Sequence, residues 1–473
     1  MLDIFIILCV IIILLFFKRY ILSAILFIII LIFAVQSARK KSYVLSTTYK
    51  PSNIIRRFNY YIDINESYEK IVSMIKEAKT RIIYSCFACN LDALFYQNND
   101  MKSLLNEAAS RGVDIRIFYN TTSEYTNHSI QDLQQRLDQR IHITTITSEA
   151  QITEQLQPLL KQITYSYNHQ KFLICDNIIL FGGCDIDPWE RKGYNIINKN
   201  NFYWHEIAVS FDVPETFISW LIQFRNLQSC MVGNMPPPPP PFINKRYEIN
   251  TMLYMIRHSN NILYIEHQLL AMSNFSDILS QSIITAIADR LTRSCQNNDD
   301  VQICIITNVS QDDEYNVFTQ FFSSNTLNLA ICNILNHVPS KLRKIAKNKL
   351  QIFRLLNGSS NIKVHSNIMI SDDSNNNYHL IRTSSNLSDR SFGNYPCDIE
   401  LGIYIQGDQV RDLYKQLVKL HTNGSDTISE TGFLQRIDIS CSNELIRSSA
   451  LFVTQTHPAT GHCTHNMLIE NVQ

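Results

Sequence analysis

At 473 residues the chain is too long for one ordinary domain and long enough to bury two hydrophobic cores. Hydrophobic residues make up 45% and aromatic residues 10%, a balance that excludes a disordered or fibrous chain. Lysine plus arginine equals aspartate plus glutamate, 42 of each, so no bulk positive field points to nucleic acid.

Two apolar runs open the chain, LDIFIILCVIIILLFF at 2–17 and ILSAILFIIILIFAV at 21–35, parted by Lys18 and Arg19. Each run alone falls short of the roughly 20 residues that span a bilayer. Together they are expected to anchor residues 1–41 in a membrane, as one tilted helix whose cations snorkel or as a hairpin of two short helices. No positive segment precedes the first run, which argues against a cleaved signal peptide. Arg39, Lys40 and Lys41 favour a cytoplasmic catalytic portion, whereas N-x-S/T sequons at Asn65, Asn120, Asn127, Asn274 and Asn308 favour the opposite side. The twelve cysteines are scattered, with Cys86 and Cys89 a lone close pair, and show no zinc-site spacing.

Residues 42–62 read as a connecting segment, and a first half follows over 63–230. ESYEKIVSMIKEAKT (66–80) carries apolar residues at helical spacing, and RIIYSCF (81–87) reads as a buried strand. SLLNEAASRGV (103–113) is a second helix closed by Gly112, and DIRIFYN (114–120) a second strand. KFLICD and NIILFGG (171–183) form a predicted hairpin, HEIAVSFDV (205–213) alternates as a strand, and PETFISWLIQFRNLQ (214–228) is a helix. A proline-rich linker at 231–245 contains Pro236 to Pro241, read as a stiff spacer rather than a docking site for a proline-binding module.

A second half over 246–425 repeats the order. INTMLYMIRHSN (249–260) is a helix, NILYIEHQLL (261–270) a strand, ILSQSIITAIADRLTRS (278–294) a helix and VQICIITN (301–308) a strand. After a helical stretch near 326–348 come KVHSNIMISDD, YHLIRTSSN (378–386), the strand ELGIYIQGD (400–408) and the helix QVRDLYKQLVKLH (409–421). Helix and strand alternate with short connections, which implies a duplicated α/β layer arrangement. Residues 426–473 read as a polar tail, despite Cys441, Cys463, His457, His462 and His465.

Each half carries the same chemistry-bearing motif. In NHQKFLICD the residues His169, Lys171 and Asp176 stand at H-x-K-x₄-D spacing, followed by Gly182, Gly183 and Asp185. On a strand, residues two apart share a face, so an imidazole and an ammonium would project together. Asp176 falls on the other face and is expected to brace the turn. In VHSNIMISDD the same spacing gives His365, Asn367 and Asp372, followed by Thr383, Ser384 and Asn386.

YNHQKFLICDNIILFGGCDIDPWE resembles the first catalytic motif of the phospholipase D superfamily, in its eukaryotic form. VHSNIMISDD with IRTSSNLSDRSFGNYPCDIELGI is similar to the second motif, and the likeness covers about 60–425. The resemblance implies two α/β/α sandwich halves related by a pseudo-twofold axis, with one histidine from each meeting over a phosphodiester. It implies His169 as nucleophile, His365 as general acid, and a phosphohistidine intermediate. Glu206 in WHE and Glu400 in DIE match carboxylates that orient the two rings. Gly183 and Ser384 match small residues lining the phosphate site, and Asp185 and Asn386 the polar ones that follow. No metal or cofactor is implied.

Two positions depart from the family pattern, Asn367 for lysine and Thr383 for glycine. Asparagine can still donate to a phosphoryl oxygen but brings no charge, and losing an electrostatic donor typically costs roughly 10²–10³ in rate. Lys171 and both histidines remain, so the expectation is a slow, membrane-anchored phosphodiesterase hydrolysing a phosphatidylcholine-like lipid to phosphatidic acid. The alternatives are a nuclease of the same fold and a non-catalytic lipid-binding relative.

Overall fold

Ile71 and Ile75 recur at helical spacing and lie on the buried face of α1 (Asp63–Glu77), where Tyr68 and Val72 join them. This computed structural model describes residues 49–52, 55, 57–87, 91, 94–119, 130–145, 147–148, 166–183, 185, 203–224, 238–271, 278–308, 327–328, 330–357, 360–388, 391, 400–437, 452–457 and 462–467. The expected anchor at 1–41, most of the connecting segment before Tyr49, Pro236 and Pro237, Cys89, Cys441 and the sequons at Asn120, Asn127 and Asn274 lie outside them. Among the described residues no helix is long and apolar enough to cross a membrane. All of them fall in one unit, Leu45–Gln473.

In chain order the first half supplies β1 (Asn59–Ile62), α1, β2 (Arg81–Ser85), α2 (Met101–Ser110), β3 (Asp114–Tyr119), β4 (Ile141–Thr145), β5 (Phe172–Cys175), β6 (Ile178–Phe181), β7 (Tyr203–His205), β8 (Ile207–Asp212) and α3 (Glu215–Phe224). The second supplies β9 (Phe242–Ile243), α4 (Lys245–His258), β10 (Ile262–His267), α5 (Ile278–Asn297), β11 (Gln302–Thr307), α6 (Arg343–Lys349), β12 (Leu350–Asn357), β13 (Ser360–Val364), β14 (Ile368–Asp372), β15 (Tyr378–Thr383), β16 (Gly402–Gln406) and α7 (Asp408–His421).

The result is a mixed α/β fold with two large sheets. One sheet runs β1-β8-β6-β5-β2-β3-β4. The other runs β9-β16-β15-β14-β10-β11-β12 and continues through β13 to β7, with β17 (Leu434–Arg436) paired to β12. The first seven positions correspond one to one, and so do the strand directions. Both β2·β3 and β10·β11 are parallel, while the β5·β6 and β14·β15 hairpins are antiparallel. The parallel central strands read as near-continuous apolar runs because they are covered on both faces. Aromatic stacking closes the core where the halves meet, with Phe217 of α3 at 3.5 Å from Phe242 of β9.

Two readings of the sequence change. The run 205–213 is not one strand. His205 pairs with Val364 in the second sheet, whereas Ile207 pairs with Ile62 in the first, so Glu206 is the residue at which the chain changes sheets. Residues expected as a polar tail include an antiparallel hairpin, β18 (Phe452–His457) and β19 (His462–Met467), whose threonine- and valine-containing sequences suit extended pairing.

Asp176 and Asp372 do the bracing expected of an aspartate at this spacing. The Asp176 carboxylate accepts from the backbone N–H of Lys79, Thr80 and Arg81 and from the Thr80 hydroxyl, fixing the α1–β2 junction. Its φ of 53° suits a short polar side chain in a hairpin turn. Asp372 accepts from the N–H of Asn260, Asn261 and Ile262 and from Asn261 Nδ2, fixing the equivalent α4–β10 junction. Burial alone would raise the Asp176 carboxyl, but the bonds from Thr80, Lys79 and Arg81 outweigh it and hold it down at about 2. Its stabilising contribution is therefore complete above the unfolded-state value and lost as pH falls through about 2. Replacing Asp372 with alanine strands the N–H groups of Asn261 and Ile262, while Asn260 keeps the Asp372 carbonyl, and is expected to cost about 2–4 kcal/mol in urea denaturation. Asp176→Ala is expected to flatten the loss of stability on acidification below about pH 4.

Candidate active site

The site is built where the two hairpin motifs approach their sheets. His169 and Lys171 precede β5 rather than lying on it, and His365 and Asn367 lie between β13 and β14. The strand-face argument therefore does not set their direction. His365 and Ser366 instead donate their N–H groups to the carbonyl of His205 at 2.8 and 3.1 Å, which ties the loop to β7. Asn168, fully buried, holds the first loop by donating to Ser85 Oγ at 3.0 Å.

Each imidazole is held by a carboxylate from the other half. His169 Nδ1 lies 3.1 Å from Glu400 Oε2, and His365 Nδ1 lies 2.6 Å from Glu206 Oε2. A carboxylate on Nδ1 fixes that nitrogen as the N–H and leaves Nε2 to face a substrate. Both carboxylates are buried and further supported. Ser384 Oγ and Ser391 Oγ donate to Glu400 at 2.6 and 2.8 Å, while Arg382 Nη2 donates to Glu206 Oε1 at 2.6 Å. Burial alone would raise the Glu400 carboxyl, but His169 and Ser384 outweigh it and hold it below the usual carboxylate range. Burial pushes the His365 imidazole down. Glu206 opposes this, and the Lys171 ammonium pushes the same way as burial.

Lys171 is buried against the first loop. Its Nζ donates to the His169 carbonyl at 3.3 Å, lies 3.5 Å from Asp185 Oδ2 and sits 5.5 Å from the centre of the Phe87 ring. Phe87 meets the His169 ring edge-on at 5.3 Å, and its N–H donates to Asp185 Oδ1 at 2.8 Å. Gly183 has φ 62°, and a Cβ there would come within 2.9 Å of Ser67 Oγ and 3.3 Å of Glu206 Cγ. Glycine thus lets α1 and the Glu206 side chain close on the loop. Asn386 donates its backbone N–H at 3.0 Å to Ser391 Oγ, the hydroxyl that in turn donates to Glu400.

Asn367 is committed to the protein. Its Oδ1 accepts from Gln268 N at 3.1 Å and its Nδ2 donates to the Ser384 carbonyl at 3.3 Å. Thus the structure brings His169, Lys171, Asp185, Glu206, His365, Asn367, Ser384 and Glu400 into one network. Asp176 and Asp372 stand apart from it, at the far ends of their hairpins.

No sequence motif points to the second network, which lies beneath His365. Glu266 of β10 accepts from Tyr264 OH at 2.6 Å and from the Ser366 hydroxyl, and lies 2.9 Å from His205 Nε2 and 3.4 Å from His421 Nε2. Asp63 takes the other nitrogen of His205 at 2.6 Å. Burial opposes charge on His205, but Glu266 and Asp63 outweigh it and hold the ring as an imidazolium. The ligand-type atoms of His205, Glu266 and His421 all lie within 4.8 Å of one another, yet both oxygens of Glu266 are already occupied by protein groups. Residues 205, 266 and 421 share no short spacing that a motif could reveal.

Residues 71–206 match the family model for the cardiolipin synthase, PLD-like domain. Residues 71–206 therefore carry a phospholipase D-like domain. A search of curated proteins found no match. Among solved structures the chain is similar to phosphatidylserine synthase of Haemophilus influenzae Rd KW20. Identity there is 10% and the TM-score 0.53, over 80% of this chain and 87% of that one. Polyphosphate kinase from Porphyromonas gingivalis follows at 11% identity and TM-score 0.45, over 77% of this chain and 50% of that one. A yeast tyrosyl-DNA phosphodiesterase mutant follows at 10% and 0.40, over 75% and 92%. At such identities the first similarity speaks to fold alone.

The crossed bracing is open to a direct measurement. A double-mutant cycle of His169→Gln and Glu400→Gln is expected to show a coupling of about 1–3 kcal/mol by urea denaturation, as contacting buried partners do. Strict additivity would mean that the two halves are not joined through this contact.

Proposed function

We propose that this phospholipase D relative is a membrane-anchored phosphodiesterase that hydrolyses a phosphatidylcholine-like glycerophospholipid to phosphatidic acid and the free head-group alcohol. What carries the reading is the pair of imidazoles, each held at Nδ1 by the opposite half's carboxylate, with one buried ammonium beside them. The apolar runs at 2–35 support a site held near a bilayer.

In the proposed first step His169 Nε2 attacks phosphorus as the bond to the head-group oxygen breaks, and His365 gives its Nε2 proton to that oxygen. In the second, neutral His365 takes a proton from water, the hydroxide attacks phosphorus, and the phosphorus–nitrogen bond to His169 breaks. Burial and Lys171 hold His365 down in the free site, so it takes up its proton as the phosphodiester anion arrives. The first step needs an unprotonated nucleophile and a protonated acid at once, which gives a bell-shaped dependence of rate on pH. Lys171 neutralises the non-bridging oxygens. Gly183, Ser384, Asp185 and Asn386 shape the phosphate end of the site. With Asn367 turned to Ser384, the second motif itself brings no cation to the phosphate, which supports slow turnover.

The test uses the full chain in detergent with labelled phosphatidylcholine and, separately, single-stranded DNA. Lipid turnover is expected, with no measurable residue of it in His169→Ala, and with acid-labile phosphate on His169 trapped in His365→Ala. His365→Ala is expected to lose roughly 10²–10⁴ on the lipid but far less on a nitrophenyl ester, whose leaving group needs no proton. Turnover of DNA alone would assign the site to nucleic acid, and turnover of neither would overturn the enzymatic reading.

A further inference from the structure

The two halves differ in where they carry their buried cation. Phe172, three residues after His169, pairs with Phe181. Ile368, three residues after His365, pairs with Arg382. Arg382 therefore occupies in the second half the place that Phe181 occupies in the first, just as Asn367 occupies the place of Lys171. One half has lysine before the hairpin and phenylalanine after it; the other has asparagine before and arginine after.

Arg382 is 1% exposed, and an arginine does not lose its charge on burial. Its fork is filled by the protein. Nε donates to the Ile207 carbonyl at 2.7 Å, Nη1 to the carbonyls of Thr383 and, at 3.4 Å, Asn367, and Nη2 to Glu206 Oε1 at 2.6 Å. Space for the guanidinium comes from the first half. Gly182 lies against it, and a Cβ there would sit 2.8 Å from Arg382 Nε and 2.9 Å from Cζ. Each of its nitrogens donates to backbone or to Glu206 and the side chain is buried, so Arg382 does not touch substrate. It grips one oxygen of the carboxylate whose other oxygen holds His365.

We propose that Arg382 is the positioning cation of the second half, replacing from beneath the site the charge that Asn367 lacks and setting both the aim of Glu206 and the readiness of His365 to release its proton. This rests on the phosphodiesterase reading for its kinetic consequence but not for its electrostatic one. Glu400 is bonded by two neutral hydroxyls besides His169, with the Lys171 ammonium acting on it without a direct contact. Glu206 shares its charge with a guanidinium, so it orients His365 without trapping it as an imidazolium. The other groups facing this pair are Lys171 and Asp185, which act on His365, and His267, which faces Arg382 and is pushed down to about 3 by burial and by that arginine.

Without Arg382, the Glu206–His365 pair loses a positive neighbour and gains affinity for a proton. The deciding experiment compares Arg382→Phe, Asn367→Lys and the double variant, which recreates the first half's arrangement. Histidine titrations are followed by NMR on the full chain with labelled imidazole carbons in detergent, the His365 signal being identified by its loss in His365→Gln. Arg382→Phe is expected to move the His365 midpoint up by about one unit or more, and the double variant to bring it back. On bis(4-nitrophenyl) phosphate, Arg382→Phe is expected to lower kcat by roughly 10–10² with KM little changed, and the double variant to recover most of it. A folded Arg382→Phe protein with an unmoved His365 midpoint overturns the proposal. Should that variant fail to fold, Arg382→Gln removes the charge but keeps hydrogen-bonding groups, and its His365 midpoint is expected to move up as well; an unmoved midpoint there also overturns it. If the unaltered chain cleaves no phosphodiester, the phosphodiesterase reading fails while the titration still decides the role of Arg382.

Discussion

The contact on which the rest of the structure depends is the crossed pairing of imidazole and carboxylate. Neither half holds its own histidine. Glu400 comes from the segment entering β16 and grips the ring that precedes β5, while Glu206 stands where the chain changes sheets and grips the ring that precedes β14. All four groups are buried, so leaving any one unpaired would cost several kcal/mol. The halves cannot slide or open at this seam without breaking both pairs together. That makes the site rigid before any substrate arrives, the condition under which fixed charges contribute most to a reaction.

The buried cluster of His205, Glu266, Tyr264, His421 and Asp63 serves the same end one layer down. His205 supplies the carbonyl that receives the N–H groups of His365 and Ser366, and its ring is clamped between carboxylates of both halves. A motion of His365 relative to Glu206 would have to move β7, and β7 is fixed by an imidazolium that the fold has already neutralised. Precision at the reacting ring thus comes from a charge network that never meets the substrate.

The fold was largely legible because its signals are local. Apolar runs bounded by Gly, Asn and Asp marked the strands, helical spacing marked α1, α4 and α5, and the repeated order announced two similar sheets. The candidate site was legible for a narrower reason. Histidine and aspartate sit seven residues apart because one ends the loop and the other closes the hairpin, where Asp176 and Asp372 each collect the backbone donors of a helix–strand junction. What could not be read was anything joining distant segments. The crossed choice of carboxylate, the break of 205–213 at Glu206, the edge-on Phe87 and the Glu266 cluster all depend on which strand lies beside which, and no short spacing records that.

Asn367 shows how a local reading can locate a departure without showing how the rest of the fold accommodates it. Taken alone, the missing lysine reads as damage, with a neutral amide left to serve the phosphate. In the structure that amide is used elsewhere, bridging Gln268 to the Ser384 carbonyl, and a guanidinium fills the apolar position on the neighbouring strand. A lysine at 367 would bring a second cation close to Arg382, in a region of low dielectric where like charges repel strongly. The two substitutions are therefore one change seen from two places. The second half has exchanged a cation that reaches toward the phosphate for one that acts through Glu206, and the pair of sites has become unequal in a way that suits two imidazoles with different tasks.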